Sequence, residues 1–365
     1  MKCVSLYTGC GGLDLGFHNA GFTTIWANDI DPFALETYSN ELNRRGFLMP
    51  EIHCGHVSKA KLPEPGSADV VMGGPPCQGF SVAGRMDPSD PRSRQVWEFF
   101  RVVEHVRPQA FVMENVKALA FNTRWAGTMD ALQAKGEKLG YQTRLLVLNA
   151  ADYGVAQLRE RMFLVGIQDG IMPKPVSSGC RKTVRSALKA LPAYGEVGNH
   201  SICKAIITAA KTPVLRKSPF AGMLFNGQGR PMDLDAPALT LPASMGGNRT
   251  PIIDQQSLAE NAEPWVTGYH ARLMAGGKPI AKVPKHLRRL TVEEAACLQG
   301  FPIGMSFAGS QCTKFRQIGN SVPPALGEVV GRTLRAVLEG NSTADEWRGN
   351  QKCWVAEDPT PYRVA

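Results

Sequence analysis

One cysteine in this sequence stands where a reactive thiol would be accessible. Cys77 follows an apolar run at 70–72, which predicts a buried strand, and then two glycines and two prolines at 73–76. The prolines stiffen the chain and would hold the thiol at the tip of the strand, where a nucleophile is usefully presented. A buried structural thiol is the alternative, but the Gln-Gly-Phe-Ser that follows at 78–81 is poor core sequence. We therefore predict that Cys77 is a nucleophile.

A carboxylic acid follows the next predicted strand. Glu114 comes directly after the apolar residues 111–113. The carboxyl ends of parallel strands meet at one edge of a sheet, so this side chain should lie beside the cleft that holds Cys77. Burial there would raise its pKa and make it a general acid or a hydrogen-bond donor. An acid that only caps a helix is the alternative.

Three polar side chains alternate along a further stretch. Gln157, Arg159 and Arg161 are spaced two apart, which places them on one face of a strand. Arginines at this spacing can clamp a carboxylate, a phosphate or a base. Ordinary surface charge is the alternative.

A glycine-rich turn follows the first predicted strand. The residues at 7–12 read Tyr-Thr-Gly-Cys-Gly-Gly and lead into a predicted helix at 13–20. Glycines at such a turn let the backbone approach a ligand closely. Asp29 follows Gly9 by 20 residues, at the end of the next predicted strand, where an acid can bind ribose hydroxyls. Together, the glycine-rich turn and Asp29 favour an adenosine cofactor over a purely structural turn. The G-x-G-G spacing disfavours a nicotinamide cofactor.

Strands and helices alternate in the part of the chain that carries these residues. Helices are predicted at 33–42 and 96–106 and, near the other end, at 291–299 and 323–338. Strand-helix alternation predicts a parallel, doubly wound α/β fold. The apolar runs that predict its strands are 4–7, 23–27, 70–72, 111–113, 145–148 and 162–165.

The excess positive charge lies in one central block. Residues 172–286 contain 15 Lys and Arg against 6 Asp and Glu, whereas the rest of the chain has 26 of each. Clusters of Gly, Pro and Asn in this block predict loops and short strands. A basic, loop-rich insertion is typical of a protein that reads nucleic acid, and a solvated insertion is the alternative. We predict a catalytic and cofactor-binding domain at 1–171 plus 287–340, a smaller inserted domain at 172–286 and a polar tail at 341–365.

Composition excludes several classes of protein. The 365 residues are 43% hydrophobic and 20% charged, as in a soluble globular protein and unlike a disordered or fibrous one. No apolar run approaches the roughly 18 residues that span a bilayer. The nine cysteines are scattered without a C-x-x-C pair, so we expect neither a zinc site, or any other metal, nor a disulfide framework. The first residues lack the pattern of a signal peptide, and we expect a cytoplasmic protein.

Taken together, these motifs resemble the DNA (cytosine-5)-methyltransferases of bacterial restriction-modification systems. Nearly the whole chain takes part, with the elements in the family's order. Cys77 stands in a Pro-Pro-Cys-Gln motif, Glu114 in Glu-Asn-Val, and the two arginines in Gln-x-Arg-x-Arg. Later matches lie at 289–302 and 317–323. The resemblance implies a Rossmann-like S-adenosylmethionine-dependent methyltransferase fold with an inserted target-recognition domain, mostly loops and β-structure.

The resemblance also implies a role for individual residues. The catalytic set is Cys77, Glu114, Arg159 and Arg161. The residues that bind S-adenosylmethionine, and its product S-adenosylhomocysteine, are Tyr7, Gly9, Cys10, Gly11, Gly12, Leu13, Asp29, Ile30, His56, Val57, Pro75, Asn320 and Ser321. The residues that bind DNA are Gln78, Ser81, Arg92, Gln157, Arg230, Thr240 and Arg249. Of these, Ser81 and Arg92 would contact the backbone from a loop at 78–94, and Arg230 and Arg249 are candidate guanine contacts.

The sequence departs from the family pattern at two places. His56 follows Gly55 where family members usually carry an Asp that holds the adenine amino group, which puts that contact in doubt. Tyr7 stands where Phe is commoner, and it keeps the aromatic ring.

The implied reaction is methylation of cytosine at C5. Cys77 adds to C6 while Glu114 donates a hydrogen bond or proton at N3, C5 takes the methyl group, and loss of the C5 proton expels the thiolate. The base must be flipped out of the stack for this attack. We expect Arg159 to position the base and to support Cys77 or the C2 carbonyl, and Arg161 to brace the loop.

Other functions stay open at this point. An RNA cytosine-5 methyltransferase would use the same fold, and an inert DNA-binding protein could retain the scaffold. An amino-methyltransferase is set aside because Gly74 and Cys77 occupy the positions of its characteristic residues. The expected partner is double-stranded DNA, with a cognate restriction endonuclease encoded nearby but not stably bound. The resemblance implies a monomeric protein encoded by a bacterium or phage.

Overall fold

The computed structural model describes residues 1–76 and 94–341. Four of the predicted site residues, Cys77, Gln78, Ser81 and Arg92, lie outside the described residues. The same holds for the predicted loop at 78–94, apart from its last residue, and for the predicted tail beyond residue 341.

A seven-stranded sheet forms the centre of the molecule, in the order β3-β2-β1-β4-β5-β8-β6. Strands β1 to β5 run parallel, whereas β8 is antiparallel to both of its neighbours, β5 and β6. All six predicted strands are confirmed. The edge strand β3 and the reversed direction of β8 were not predicted. The strands of the first 170 residues are β1 (Lys2–Leu6), β2 (Thr23–Asp29), β3 (Glu51–Cys54), β4 (Val70–Gly73), β5 (Ala110–Val116), β6 (Gln142–Asn149), β7 (Gln157–Leu158) and β8 (Glu160–Ile167).

Helices cover both faces of this sheet, as the doubly wound prediction requires. On one face, α1 packs against α11 so closely that a Cβ at Gly16 would lie 2.4 Å from the carbonyl oxygen of Pro324. On the other face, α3 and α5 bury aromatic and aliphatic side chains such as Phe99 and Leu132 against β5. The helices are α1 (Gly12–Asn19), α2 (Pro32–Arg45), α3 (Gln95–Val106), α4 (Lys117–Phe121), α5 (Ala126–Lys138), α6 (Val184–Leu188), α7 (Gln255–Glu260), α8 (Trp265–Met274), α9 (Val292–Leu298), α10 (Gln311–Asn320) and α11 (Pro324–Leu338). Within residues 1–76 and 94–341, every helix is too short or too polar to cross a lipid bilayer.

Local sequence signals set the ends of these helices. Asp31 caps α2, and its carboxylate accepts hydrogen bonds from the backbone N–H groups of Phe33 and Ala34. Gly46 ends the same helix with a φ of 67°, a conformation that favours glycine. Thr291 and Glu294 form a reciprocal capping box at the start of α9.

Loops make up most of the basic block, as predicted, but the helices α6, α7 and α8, which we did not predict, contain more of its residues than its short strands do. Its strands are β9 (Ala209–Val214), β10 (Met223–Phe225), β11 (Ala238–Leu239) and β12 (Ile252–Asp254), and β13 (Leu287–Arg289) follows the block. Strands β9 and β10 form an antiparallel hairpin, and β11 pairs in parallel with β7 of the first part of the chain. Strand β13, which was not predicted as a strand and whose residues we had assigned to the catalytic domain, pairs with β12 of the block. One hydrophobic cluster joins both parts: Cys10 and Leu15 share it with Leu234, Ile253 and Phe315.

Candidate active site

The direction of β8 brings two sets of polar residues to one edge of the sheet. Strands β4 and β5 end at this edge, and the antiparallel β8 begins there. In the register of the sheet, Val116 near the end of β5 lies opposite Arg161 near the start of β8. A carboxylate near the end of a parallel strand and an arginine near the start of an antiparallel one are therefore neighbours.

Glu114 and Arg161 form an ion pair at this edge. The Arg161 Nε lies 2.9 Å from the Glu114 Oε1, and the two side chains are only 12% and 10% exposed. Burial raises the pKa of Glu114 above the usual range of a carboxyl, while Arg161 and Arg159 act in the opposite direction. A Cβ at Gly74 would lie 2.6 Å from the Glu114 Oε2, so a side chain there would displace the carboxylate.

Asn115 ties this carboxylate to the segment that precedes Cys77. Its side chain is buried, and its Nδ2 donates a hydrogen bond of 3.1 Å to the carbonyl oxygen of Pro75. Its Oδ1 accepts one of 2.9 Å from the Val116 N–H. Both the nitrogen and the oxygen of this side-chain amide are thus hydrogen-bonded within the site. The sequence places Asn115 in the Glu-Asn-Val motif, but its contact with Pro75 is not visible there.

The two arginines of the alternating motif lie in different surroundings, and in this structure it is Arg159 that braces the chain. Arg159 is fully buried, and its guanidinium donates to the carbonyl oxygens of Leu241, Gly319 and Ser321, at 3.3, 2.7 and 2.8 Å. These contacts tie Arg159 to two other chain segments, one at Leu241 and one at 319–321. Arg161 has the contact with the predicted catalytic carboxylate. The two arginines differ because different residues cover them. Arg159 lies beneath residues that are distant in sequence, whereas Arg161 lies beside β5.

The predicted contact of Gln157 with DNA is contradicted. This side chain has no exposed surface; its Nε2 donates to the Gln299 Oε1 at 2.8 Å and its Oε1 accepts from the Leu241 N–H at 3.2 Å. It joins protein segments in the interior. Thr240 is exposed, but its hydroxyl donates to the carbonyl of Leu158 at 2.7 Å.

The remaining predicted DNA contacts in the described part of the chain lie at the surface. Arg230 and Arg249 are both exposed, on the loops at 227–231 and 246–251. Their position leaves them accessible to a nucleic acid.

The turn after β1 is shaped to receive a ligand. Gly9 and Gly11 adopt φ values of 58° and 83°, and the space beside the Gly9 Cα is open. The Asp29 carboxylate accepts a hydrogen bond from the Gly9 N–H at 2.7 Å and one from the Asp31 N–H at 2.9 Å. Burial raises the pKa of Asp29. A carboxylate has about four lone-pair sites, so it keeps acceptor capacity for a hydroxyl.

A buried carboxyl group supports this glycine turn from below. Asp14 accepts hydrogen bonds from the Ser5 and Tyr38 hydroxyl groups at 2.9 and 3.1 Å. Burial raises its pKa to about 6. The Tyr38 ring also lies directly beneath Gly11, where a Cβ would come within 2.3 Å of it. The turn therefore has little freedom to move toward the core.

The residues around the turn fit an adenosine-containing cofactor. Ile30, next to Asp29, leaves 62% of its surface exposed and offers an apolar face to a base. His56 is exposed, and its side chain does not cap the short 3₁₀ turn that follows it. Val57 is only 2% exposed and offers little surface to a ligand. The Tyr7 ring is held by hydrogen bonds of 3.0 Å from its hydroxyl to Gln95.

The last predicted motif closes the glycine turn from the other side. The Cys10 Sγ lies 3.0 Å from the Ser321 Oγ. A Cβ at Gly12 would lie 2.2 Å from the carbonyl oxygen of Val322, which is why this position needs a glycine. Asn320 is exposed, whereas Leu13 is buried. Residues from both ends of the chain thus meet at the glycine turn.

Comparison with known proteins agrees with this geometry. The model of the family described as C-5 cytosine-specific DNA methylase matches residues 1–336. The type II methyltransferase M1.HphI of Haemophilus parahaemolyticus is 33% identical over 93% of this chain and 87% of its own length. The type II methyltransferase M.FnuDI of Fusobacterium nucleatum is 30% identical over 93% and 95%.

Two solved structures share the fold. The Dnmt2 methyltransferase of S. pombe matches with a TM-score of 0.62 and 17% identity, over 93% of this chain and 99% of its own. The methyltransferase EhMeth of Entamoeba histolytica matches with a TM-score of 0.64 and 14% identity, over 93% and 98%. Because the family model covers nearly the whole chain, this protein belongs to the family of C-5 cytosine-specific DNA methylases.

Proposed function

We propose that this chain is a type II modification enzyme, which transfers a methyl group from S-adenosylmethionine to C5 of a cytosine in a short sequence of double-stranded DNA. The observation that carries the proposal is the buried Glu114–Arg161 pair, which adjoins Gly74, while the neighbouring Asn115 binds the Pro75 carbonyl just before Cys77. The names of the relatives support the type II assignment.

The residues proposed for the cofactor lie around the glycine turn. Gly9 and Gly11 would let the backbone approach it, Asp29 would bind ribose hydroxyls, and Ile30 would pack on the adenine. Ser321 would close the site together with Cys10. When bound, S-adenosylmethionine supplies an electrophilic methyl group. His56 would stand near the adenine edge in place of the more usual Asp.

The chain's own residues would activate the cytosine. The Cys77 thiolate forms a bond to C6, and the electron pair of the C5–C6 double bond becomes available at C5. Burial raises the pKa of Glu114, and in its protonated form this carboxyl would donate a hydrogen bond at N3 and so stabilise the charge that develops on the ring. Arg161 orients that carboxyl. After C5 has gained the methyl group, loss of the C5 proton restores the double bond and expels the thiolate.

Recognition of DNA is proposed for the basic block. Residues 172–286, completed by the pairing of β13 with β12, would read the bases that flank a flipped cytosine. Arg230 and Arg249 would contact bases, Thr240 would lie at the edge of the recognition segment, and Gln78, Ser81 and Arg92 would contact the strand around the vacated position. The enzyme would act as a cytoplasmic monomer beside a separately encoded restriction endonuclease.

Bisulfite sequencing tests the proposal. A plasmid that carries the gene is grown in a host without cytosine-5 methylation, and unconverted cytosines are mapped. Protected cytosines that recur in one short sequence are the expected result. Full conversion in the presence of folded protein would contradict the proposal, and methylation of tRNA would then identify an RNA enzyme.

A pair of cysteine variants tests the nucleophile. Cys77→Ala should abolish methylation and leave the binding of duplex DNA largely intact, because the thiol is needed only for the bond to C6. Cys180→Ala is the matched control, since this free cysteine is exposed in the basic block. Methylation retained by Cys77→Ala would exclude the assigned mechanism.

A further inference from the structure

Three buried polar side chains meet between the basic block and the glycine turn. Gln157, Arg159 and Gln299, here called the buried polar cluster, have no exposed surface. The two amides are joined by the hydrogen bond of 2.8 Å from the Gln157 Nε2 to the Gln299 Oε1. They come from β7, from the residue before β8 and from the end of α9. The proposed reaction does not use Gln299.

One side of the buried polar cluster holds the segment that joins β11 to the rest of the basic block. Gln157 accepts from the N–H of Leu241, and Arg159 donates to its carbonyl. The hydroxyl of Thr240, one residue earlier, donates to Leu158 in β7. Both polar groups of the Leu241 backbone are thus bound by the cluster. The position of the segment 238–241 therefore depends on Gln157 and Arg159.

The other side of the buried polar cluster holds the end of α10. The Gln299 Nε2 donates to the Ser321 carbonyl at 2.7 Å, and the Arg159 Nη2 donates to the carbonyls of Gly319 and Ser321. The Ser321 hydroxyl in turn lies beside the Cys10 thiol in the glycine turn. The same cluster therefore fixes a segment proposed to line the cofactor site.

A buried amide with both ends bonded cannot be removed without consequence. If Gln299 is lost, the Gln157 Nε2 loses the acceptor that the structure gives it, in a site closed to water. An unsatisfied buried donor is costly, so Gln157 would turn to seek another partner and release Leu241. The loss of the Gln299 amide would also weaken the hold on Ser321.

We propose that Gln299 is a positioning residue that holds the recognition segment 238–241 and the cofactor segment 319–321 in one arrangement, so that affinity for DNA and affinity for the cofactor depend on the same side chain. This inference rests on the proposed function. It concerns the protein alone, before any reaction takes place, and can therefore be tested by binding.

Gln299→Leu is the primary variant, because leucine has a similar volume and no hydrogen-bonding groups. Binding of S-adenosylhomocysteine is measured by calorimetry, and binding of a duplex with the methylated sequence found by bisulfite mapping is measured by fluorescence anisotropy. Both dissociation constants should rise about fivefold or more, as expected for an unsatisfied buried donor. Gln311→Leu is the control, since that amide donates to the carbonyls of Ser201 and Ile202 instead. Its dissociation constants should stay within about twofold of wild type.

Gln157→Leu separates positioning from general damage. The side-chain hydrogen bonds of Gln157 go to Leu241 and Gln299 rather than to the cofactor segment, and yet its loss should weaken binding of S-adenosylhomocysteine. Combined with Gln299→Leu, it should add little further loss, because the two amides act as one unit. Circular dichroism at the measurement temperature checks folding, and Gln299→Met replaces the leucine variant if that fails to fold.

The outcomes are decisive in either direction. A folded Gln299 variant in which only one affinity falls, or in which both stay within about twofold of wild type, overturns the inference. So does a double variant whose losses are additive. If the wild-type protein itself neither binds S-adenosylhomocysteine nor methylates DNA, then the proposed function has failed instead.

Discussion

Replacement of Arg161 by methionine should test the electrostatics of the active site most directly. Methionine keeps most of the length and apolar volume of arginine but removes the charge. The substitution would leave the buried Glu114 without its nearest cation, which lies 2.9 Å away in the wild-type protein. We expect a folded protein with lower stability and with a carboxyl that is harder to ionise.

The burial of the pair sets the magnitude. Removal of one partner from a buried ion pair typically costs about 3–5 kcal/mol of unfolding free energy, because an uncompensated charge remains. The two side chains here retain 12% and 10% exposure, so we expect the low end, about 3 kcal/mol. Arg332→Met is the control: its pair with Glu328 spans 2.7 Å, but the side chains are 47% and 31% exposed. Such exposed pairs contribute about 0–1 kcal/mol.

The destabilisation should depend on pH. Burial raises the pKa of Glu114 in the folded protein, and loss of Arg161 removes a group that lowers it. A carboxyl whose folded pKa lies above the unfolded one loses stabilising effect as pH rises from the unfolded value through the folded value. The difference between Arg161→Met and wild type is therefore largest at high pH and shrinks as the pH falls and Glu114 takes up a proton.

Urea unfolding followed by tryptophan fluorescence, at about pH 8 and about pH 5, measures both effects. Wild type, Arg161→Met and Arg332→Met are compared at each pH. The double variant with Glu114→Gln should recover part of the stability lost at the higher pH. The reasoning is refuted if Arg161→Met costs no more than the surface variant, or if its cost is the same at both values of pH.

Three further substitutions address the site. Gly74→Ala should lower kcat by about tenfold or more, because its Cβ would lie 2.6 Å from the proposed acid; Gly127→Ala, which meets no atom within 4 Å, should leave kcat unchanged. Ile30→Ser should weaken binding of S-adenosylhomocysteine in calorimetry without a change in the unfolding midpoint, whereas Ile171→Ser, at a site 53% exposed, should change neither. His56→Asp should leave that affinity unchanged or increase it, and a large loss would show that the histidine has a role of its own.

The strands of the sheet could be predicted because each buried strand carries a short apolar run with few competing signals. Strand β3 was missed, since its four residues, Glu51–Cys54, are exposed or half-buried and two of them are polar. The direction of β8 was not predictable either. An apolar run has the same pattern in a parallel and an antiparallel strand. The segment between β6 and β8 did not decide between these two directions.

The site was predicted to the extent that it follows from strand ends. The position of Glu114 near the carboxyl end of its strand needed only the apolar residues before it. The roles of Arg159 and Arg161 needed more, because a spacing of two places residues on one face without telling what covers that face. Arg159 is covered by residues around 241 and 320, and Gln157 meets Gln299. These contacts join parts of the chain separated by 80 residues or more.

The pairing of β12 with β13 has a consequence for attempts to transfer sequence specificity between relatives. A graft that replaces 172–286 alone would cut between the two strands, so the foreign β12 would meet the host's β13 in an untested register. It would also divide the hydrophobic cluster that Leu234 and Ile253 share with Phe315. A second junction beyond Leu290 would keep that small sheet intact. If the residues of the hydrophobic cluster are also exchanged together, the graft transfers a complete packing unit rather than loops alone.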